Sequence, residues 1–245
     1  MKTLRIDIIT IFPGMFESPF NESILKRARE KGLLEIGLHD TRAFSRNKHK
    51  NVDDAPFGGG AGMVMSAEPL ALAIESVRRE RPDSKTILLA PGSKPLNHDK
   101  AKELAERDAF TLVCGRYEGI DERVRQRFID EELSIGDYIL SGGELAAMVV
   151  VDAVTRLRPG VLGDENSIVE ETFSEGLLEY PQYTRPRDFR GDCAPEVLVS
   201  GDPKKIKSWQ RKQALLKTAR MRPDLLKKIQ LTEEDKRILE QTDFD

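Results

Sequence analysis

Two glycine-bearing segments carry the residue types that could hold and transform a small molecule. The first is Cys114-Gly115-Arg116-Tyr117-Glu118-Gly119-Ile120-Asp121-Glu122-Arg123. The second is Ser134-Ile135-Gly136-Asp137-Tyr138-Ile139-Leu140-Ser141-Gly142-Gly143-Glu144. In both, an apolar run reads as a strand and glycines then turn the chain; the second also opens a helix. Glycine permits positive φ and lets the backbone approach a ligand closely. Two such loops at strand ends could form one cleft; ordinary tight turns are the plainer alternative. The chain has no G-x-x-x-x-G-K-S/T and no G-x-G-x-x-G after its first strand, which argues against a P-loop NTPase and a Rossmann dehydrogenase. The three histidines, His39, His49 and His98, are scattered without metal-ligand spacing, so no metal site is read.

A second chemical signal is charge. The net charge is -3, yet residues 203–230 hold ten Lys or Arg against the single acid Asp224, a local +9 that leaves -12 on the rest. A basic surface on an acidic chain suits a polyanion such as RNA or DNA; a solvated helix face is the plainer alternative. Asp202 is placed to cap a helix whose first residue is Pro203. In that helix Lys204, Lys207 and Arg211 share one face, with Ile206, Trp209 and Leu216 on the other. A short helix around Leu225–Ile229 and an acidic tail from Thr232 follow.

The elements that must position these residues are legible from periodicity. Strands are expected at Leu4–Ile9, Leu33–Leu38, Thr86–Ala90, Phe110–Cys114 and Ile129–Ile135, and helices at Glu22–Lys31, Pro69–Arg81, Asn97–Glu106 and Gly143–Leu157. Such alternation predicts an α/β fold, a mostly parallel sheet flanked by helices. The acidic stretch Asp164–Glu175, with five acids and no base, reads as a mobile linker. At 245 residues, with 39% hydrophobic and 33% charged residues, the chain is long enough for one large domain and a small one. No apolar run is long enough to cross a bilayer, and two cysteines make no disulfide framework. A cytoplasmic protein is expected.

Several ordered motifs together resemble one family. They are Val52-Asp53-Asp54, Gly58-Gly59-Gly60, Gly62-Met63, the two glycine segments above, Arg156, Pro159-Gly160-Val161-Leu162-Gly163 and Tyr183-Thr184-Arg185-Pro186. Running through most of residues 5–225, they are similar to the bacterial tRNA (guanine-N1)-methyltransferases of the SPOUT class. The resemblance implies a deep C-terminal trefoil knot in the sheet, a knotted cofactor-binding domain over residues 1–160, a linker over 161–176 and a small helical tRNA-binding domain over 177–245. It also implies a homodimer whose active site is shared between subunits, and a tRNA anticodon stem-loop, not DNA or a membrane, as partner.

The same resemblance assigns residues. S-adenosylmethionine, the methyl donor, would be held by Leu89, Ala90 and Pro91; by Gly115, Tyr117, Glu118 and Gly119; and by Ser134, Ile135, Gly136, Tyr138, Leu140, Gly142 and Gly143. Methylating guanine N1, at the position 3′ of the anticodon (position 37), needs a base for the N1 proton and a cation or donor for charge growing on O6. Arg156 and Glu171 are the implied pair. RNA contacts are implied for Asp54, Tyr183 and Arg185, and read from charge for Lys204, Lys207 and Arg211. Mg²⁺ would assist, although the sequence offers no ligand cluster for it.

The sequence departs from the family in its linker. Glu171-Thr172-Phe173 stands where an Asp-led stretch is usual, and Glu170 precedes it. Alignment to Phe173 favours Glu171 as the base, with Glu170 the alternative. Two other functions remain: a knotted ribose 2′-O-methyltransferase, and a non-catalytic RNA-binding protein. The first leaves the linker acid unexplained, and the second predicts damaged glycine loops.

Overall fold

The computed structural model describes residues 2–163, 172–173 and 176–241. Glu170 and Glu171 lie outside them. The chain divides into two compact units, Met1–Gly163 and Asp164–Asp245.

In the first unit, the elements in chain order are β1 (Leu4–Thr10), α1 (Glu17–Phe20), α2 (Ser23–Glu30), β2 (Leu34–Asp40), β3 (Asp53–Asp54), β4 (Val64–Met65), α3 (Ala67–Glu80), β5 (Lys85–Pro95), α4 (His98–Ala105), β6 (Ala109–Cys114), α5 (Glu122–Phe128), β7 (Glu131–Ser134) and α6 (Glu144–Thr155). Five strands form one parallel sheet in the order β2-β1-β6-β5-β7. A parallel sheet covered on both faces needs apolar residues on both sides of each strand. The strands meet this by alternation. Ile6, Ile8, Ile87, Leu89 and Leu112 join one core with Phe16, Phe20, Val150 and Val154. Ile9, Leu88 and Val113 join the other with Leu70, Ile74, Val77 and Val124. The expected strands and helices of this unit fall on observed ones, with ends shifted by a few residues.

One irregularity matters for function. In β5, both Leu89 and Lys94 pair with Leu133 of β7, so Ala90–Ser93 bulge out of the ladder. Pro91 has no N–H to donate there, and bulges of this kind re-aim residues beside active sites.

The second unit carries β8 (Asp188–Phe189), β9 (Asp192–Cys193), α7 (Pro203–Met221), α8 (Pro223–Leu226) and α9 (Glu233–Glu240). Asp202 caps α7, its carboxylate accepting from the N–H groups of Lys204 and Lys205. The acidic tail carries a helix over Glu233–Glu240. Thr232 and Asp235 form a reciprocal capping box at its start, and three of its four acids, Glu233, Glu234 and Asp235, sit in the first turn, where the helix dipole favours them. Leu177, Ala214 and Leu215, with Leu226, Ile238 and Leu239 against them, make this unit's own core.

Candidate active site

The C-terminal ends of β5, β6 and β7 lie side by side, and a cleft of about 300 Å³ opens over them. Its walls are the β5 bulge, the loop after β6 and the loop between β7 and α6. All fourteen residues that the resemblance assigns to the methyl donor, from Leu89 to Gly143, line it. Ligand clefts outside strand ends are the general arrangement of open parallel sheets.

The two loops are laced together. Gly143 donates its N–H to the Gly115 carbonyl (2.9 Å), and Arg116 bridges Gly142 in antiparallel register. A Cβ on Gly143 would stand 2.7 Å from the Cys114 Cα, so only glycine permits this approach. Gly136 donates to the Ser134 Oγ (3.1 Å) and holds φ at +146°. Tyr117 takes φ +60°, a conformation that costs a non-glycine residue about 1–3 kcal/mol. The rims are aromatic: Tyr117 and Tyr138 are exposed.

Beneath the lacing sits a buried charge pair. Glu144, the first residue of α6, is fully buried. It accepts from Arg116 Nε (2.8 Å) and from Thr10 Oγ1 (2.8 Å). The Arg116 guanidinium lies 4.6 Å from the Phe12 ring centroid. Burial, then the nearby Glu144 charge, pushes the Cys114 thiol well above its ordinary range, so it offers no thiolate nucleophile. Arg116 and Glu144 have no assigned role in the sequence reading. A pair 28 residues apart leaves no spacing signal, and nothing in these segments separates the two from Glu118, Asp121, Glu122, Arg123 and Asp137.

Gly142 also packs against this pair. A Cβ there would overlap the Arg116 side chain and stand 2.6 Å from the Glu144 Oε2. Its φ is not positive, so the close approach of the ion pair by itself calls for glycine.

The sequence that builds this arrangement matches a known family. The tRNA (Guanine-1)-methyltransferase TrmD model aligns with residues 4–228. The chain belongs to this family. It is 56% identical over 240 residues to the tRNA (guanine-N(1)-)-methyltransferase of Pelotomaculum thermopropionicum, covering 97% of this chain and 96% of that one. It is 53% identical over 235 residues to that of Citrifermentans bemidjiense, at 96% and 94% coverage. With that of Moorella thermoacetica it shares 55% over 242 residues, at 97% and 96%.

Two other site candidates of this tRNA (guanine-1)-methyltransferase family member, Arg156 and Asp54, belong to the first unit and are not among the cleft-lining residues. Arg156 caps the far end of α6, its N–H donating to the Asp152 carbonyl (3.2 Å). Asp54 is exposed in β3. In the second unit Lys204, Lys207 and Arg185 are exposed. Tyr183 leans on Trp209 with ring centroids 6.3 Å apart, and Tyr180 meets the same indole edge-on at 6.4 Å. Arg211, expected on the same basic face, is engaged by Asp235 through Nε (3.1 Å) and Nη2 (2.9 Å). Arg211, with the capping box, holds the Asp235 carboxyl below the usual carboxylate range. Among the described residues no group of three His, Cys, Asp or Glu converges as a metal site, and no helix is long and apolar enough to cross a membrane.

Proposed function

We propose that the chain methylates N1 of the guanine 3′ of the anticodon (position 37) in tRNA, with S-adenosylmethionine as donor. Family membership over residues 4–228 carries the reading, and the cleft supports it. Leu89, Ile135 and Leu140 offer apolar walls for a flat base, and the Gly115–Gly119 and Gly136–Gly143 backbones offer N–H and C=O groups. The residues fit the donor. Bound there, S-adenosylmethionine supplies an electrophilic methyl on its sulfonium.

The chain's own residues do the rest. Arg156 donates charge-assisted hydrogen bonds to O6 as negative charge grows there. Glu171, outside the described residues, takes the N1 proton; Glu170 is its alternative. The second unit grips the anticodon stem through Lys204 and Lys207, with Tyr183 and Arg185 nearby in sequence, and Asp54 adds a contact from the first unit. Mg²⁺ enters as an assisting ion without a dedicated cluster.

We further read the enzyme as a homodimer with a shared site. Gly143 and Arg156 flank the 12 residues of α6, roughly 18 Å of helix, so the cleft of one subunit needs the arginine of another. Exposed Leu145 and Val149, one turn apart on α6, and Met15 supply apolar surface for the contact. The deep knot belongs to the same reading, and the lacing of Gly115 with Gly143 is in keeping with it.

The test is transfer of labelled methyl from S-adenosylmethionine to tRNA transcripts carrying guanine or adenine after the anticodon. Label is expected in N1-methylguanosine of the guanine transcript alone. Label on a ribose 2′-oxygen, or none, would overturn the reading.

A further inference from the structure

In the glycine-rich turn ahead of the cofactor loop, only Asp54 of its stem has a role in the reading above. Asp53 and Asp54 pair antiparallel with Met65 and Val64, and residues 55–63 turn between them. At the turn the Phe57 side chain is 99% exposed. Gly58, Gly59 and Gly60 follow with φ of +87°, +77° and +129°. A Cβ on any of these three would meet nothing within 4 Å. Glycine is needed there for left-handed backbone, not for space, and it leaves the ring standing without neighbouring side chains.

The stem below this ring is fixed to the cleft wall. Glu118 donates its N–H to the Met63 carbonyl (2.9 Å), Met65 donates to the Gly119 carbonyl (2.9 Å), and Asp121 donates to the Met65 carbonyl (3.1 Å). At Gly62 a Cβ would stand 2.6 Å from the Glu118 Cγ, so the turn's return limb lies directly on the cofactor loop. The chain enters β3 from a cationic stretch: residues 41–51 include Arg42, Arg46, Lys48 and Lys50 and no acid. Arg46, Lys48 and Lys50 are exposed.

We propose that Phe57 is a nucleobase-stacking contact by which the first unit holds its RNA, with Lys48 and Lys50 as accompanying phosphate contacts. It rests on the tRNA methyltransferase reading and adds, beside the polar contact at Asp54, an aromatic one at the tip of the same hairpin. A bare ring that follows a cationic stretch in the chain suits a polyanion that also offers π-faces. A protein partner would need an apolar patch around the ring, and Gly58–Gly60 carry no side chains to make one. Because the stem is bonded to Glu118 and Gly119, RNA stacked on Phe57 would press on the wall of the donor cleft.

The full-length protein with tRNA tests this. Phe57→Ala is expected to weaken tRNA binding roughly 5- to 150-fold, the worth of one base stacked on an aromatic ring, while Phe57→Trp restores it. Affinity for S-adenosylmethionine without RNA should stay as in the wild type. Lys48→Ala with Lys50→Ala should flatten the salt dependence of tRNA binding. Wild-type tRNA affinity in Phe57→Ala overturns the proposal. So does a change in sedimentation of that variant, which would assign the ring to a subunit contact. An active wild type with an indifferent Phe57 sinks this contact alone; a wild type that transfers no methyl sinks it together with the functional reading.

Discussion

The donor cleft and the basic helix α7 use charge in opposite ways. At the cleft, Glu144 is withdrawn from water and the Arg116 side chain is only 15% exposed; the two neutralise each other and join two glycine loops. On α7, Lys204 and Lys207 stay in water. Arg211 stands between these extremes, its side chain 35% exposed and its partner Asp235 only 3% exposed. Buried charge gives fixed geometry, and losing one partner leaves the other stranded in low dielectric. Solvated charge gives attraction that any salt weakens. Under the proposed function, a cleft for a small molecule is served by the first kind and a surface for a large polyanion by the second.

The comparison breaks hardest where chemistry is added to it. Glu171→Gln keeps shape but cannot take a proton, and single-turnover methyl transfer should slow by about 10²–10⁴-fold with both ligand affinities little changed. Glu170→Gln should slow it less than about tenfold, roughly 1.4 kcal/mol of barrier. The reverse ranking would show the linker alignment to be off by one.

Next comes the buried pair. Glu144→Gln keeps a hydrogen bond for Arg116 but strands its charge, a loss of about 3–5 kcal/mol for a broken buried pair. Thermal unfolding should fall, and calorimetric titration should show weakened S-adenosylmethionine binding. Unchanged donor affinity in a folded Glu144→Gln protein would reduce the pair to scaffolding. Gly143→Ala acts on the same lacing by sterics. Its Cβ meets the Cys114 backbone at 2.7 Å, an overpacking of about 1–3 kcal/mol, and the melting shift that S-adenosylmethionine confers should shrink with it.

The second unit should respond to pH and salt. Asp235 has its carboxyl held low in the folded state. Its contribution is therefore present above the ordinary carboxylate value and is lost as pH falls through the lowered one. Asp235→Asn should remove that acid-side loss in melting curves recorded from pH 6 downward; an unaltered profile would place the acid sensitivity elsewhere. The smallest effect belongs to Lys204→Ala with Lys207→Ala. It should lower the salt slope of tRNA binding by up to about two units, near one per phosphate contact, with donor affinity untouched. An unchanged slope would leave α7 a plain solvated face.

Much of this protein was legible in its sequence because the signals are local. Apolar runs such as Phe110–Cys114 specify strands buried on both faces, and Asp202-Pro203 specifies a helix start; both act through neighbouring backbone. The glycine segments showed where a chain must approach a ligand, and their ordered motifs supplied the family. The β5 bulge, the lacing of Gly115 to Gly143 and the burial of Glu144 against Arg116 and Thr10 became visible only in three dimensions. Each joins residues from different strands, and no spacing along the chain encodes such a meeting. The same holds for Arg211, whose helical position promised a solvent-facing cation. A carboxylate 24 residues downstream captured it, because α9 packs there and a buried acid must find a charged partner. Local propensity set the elements and the chemistry available to them; tertiary packing decided which charges are neutralised inside and which remain in water.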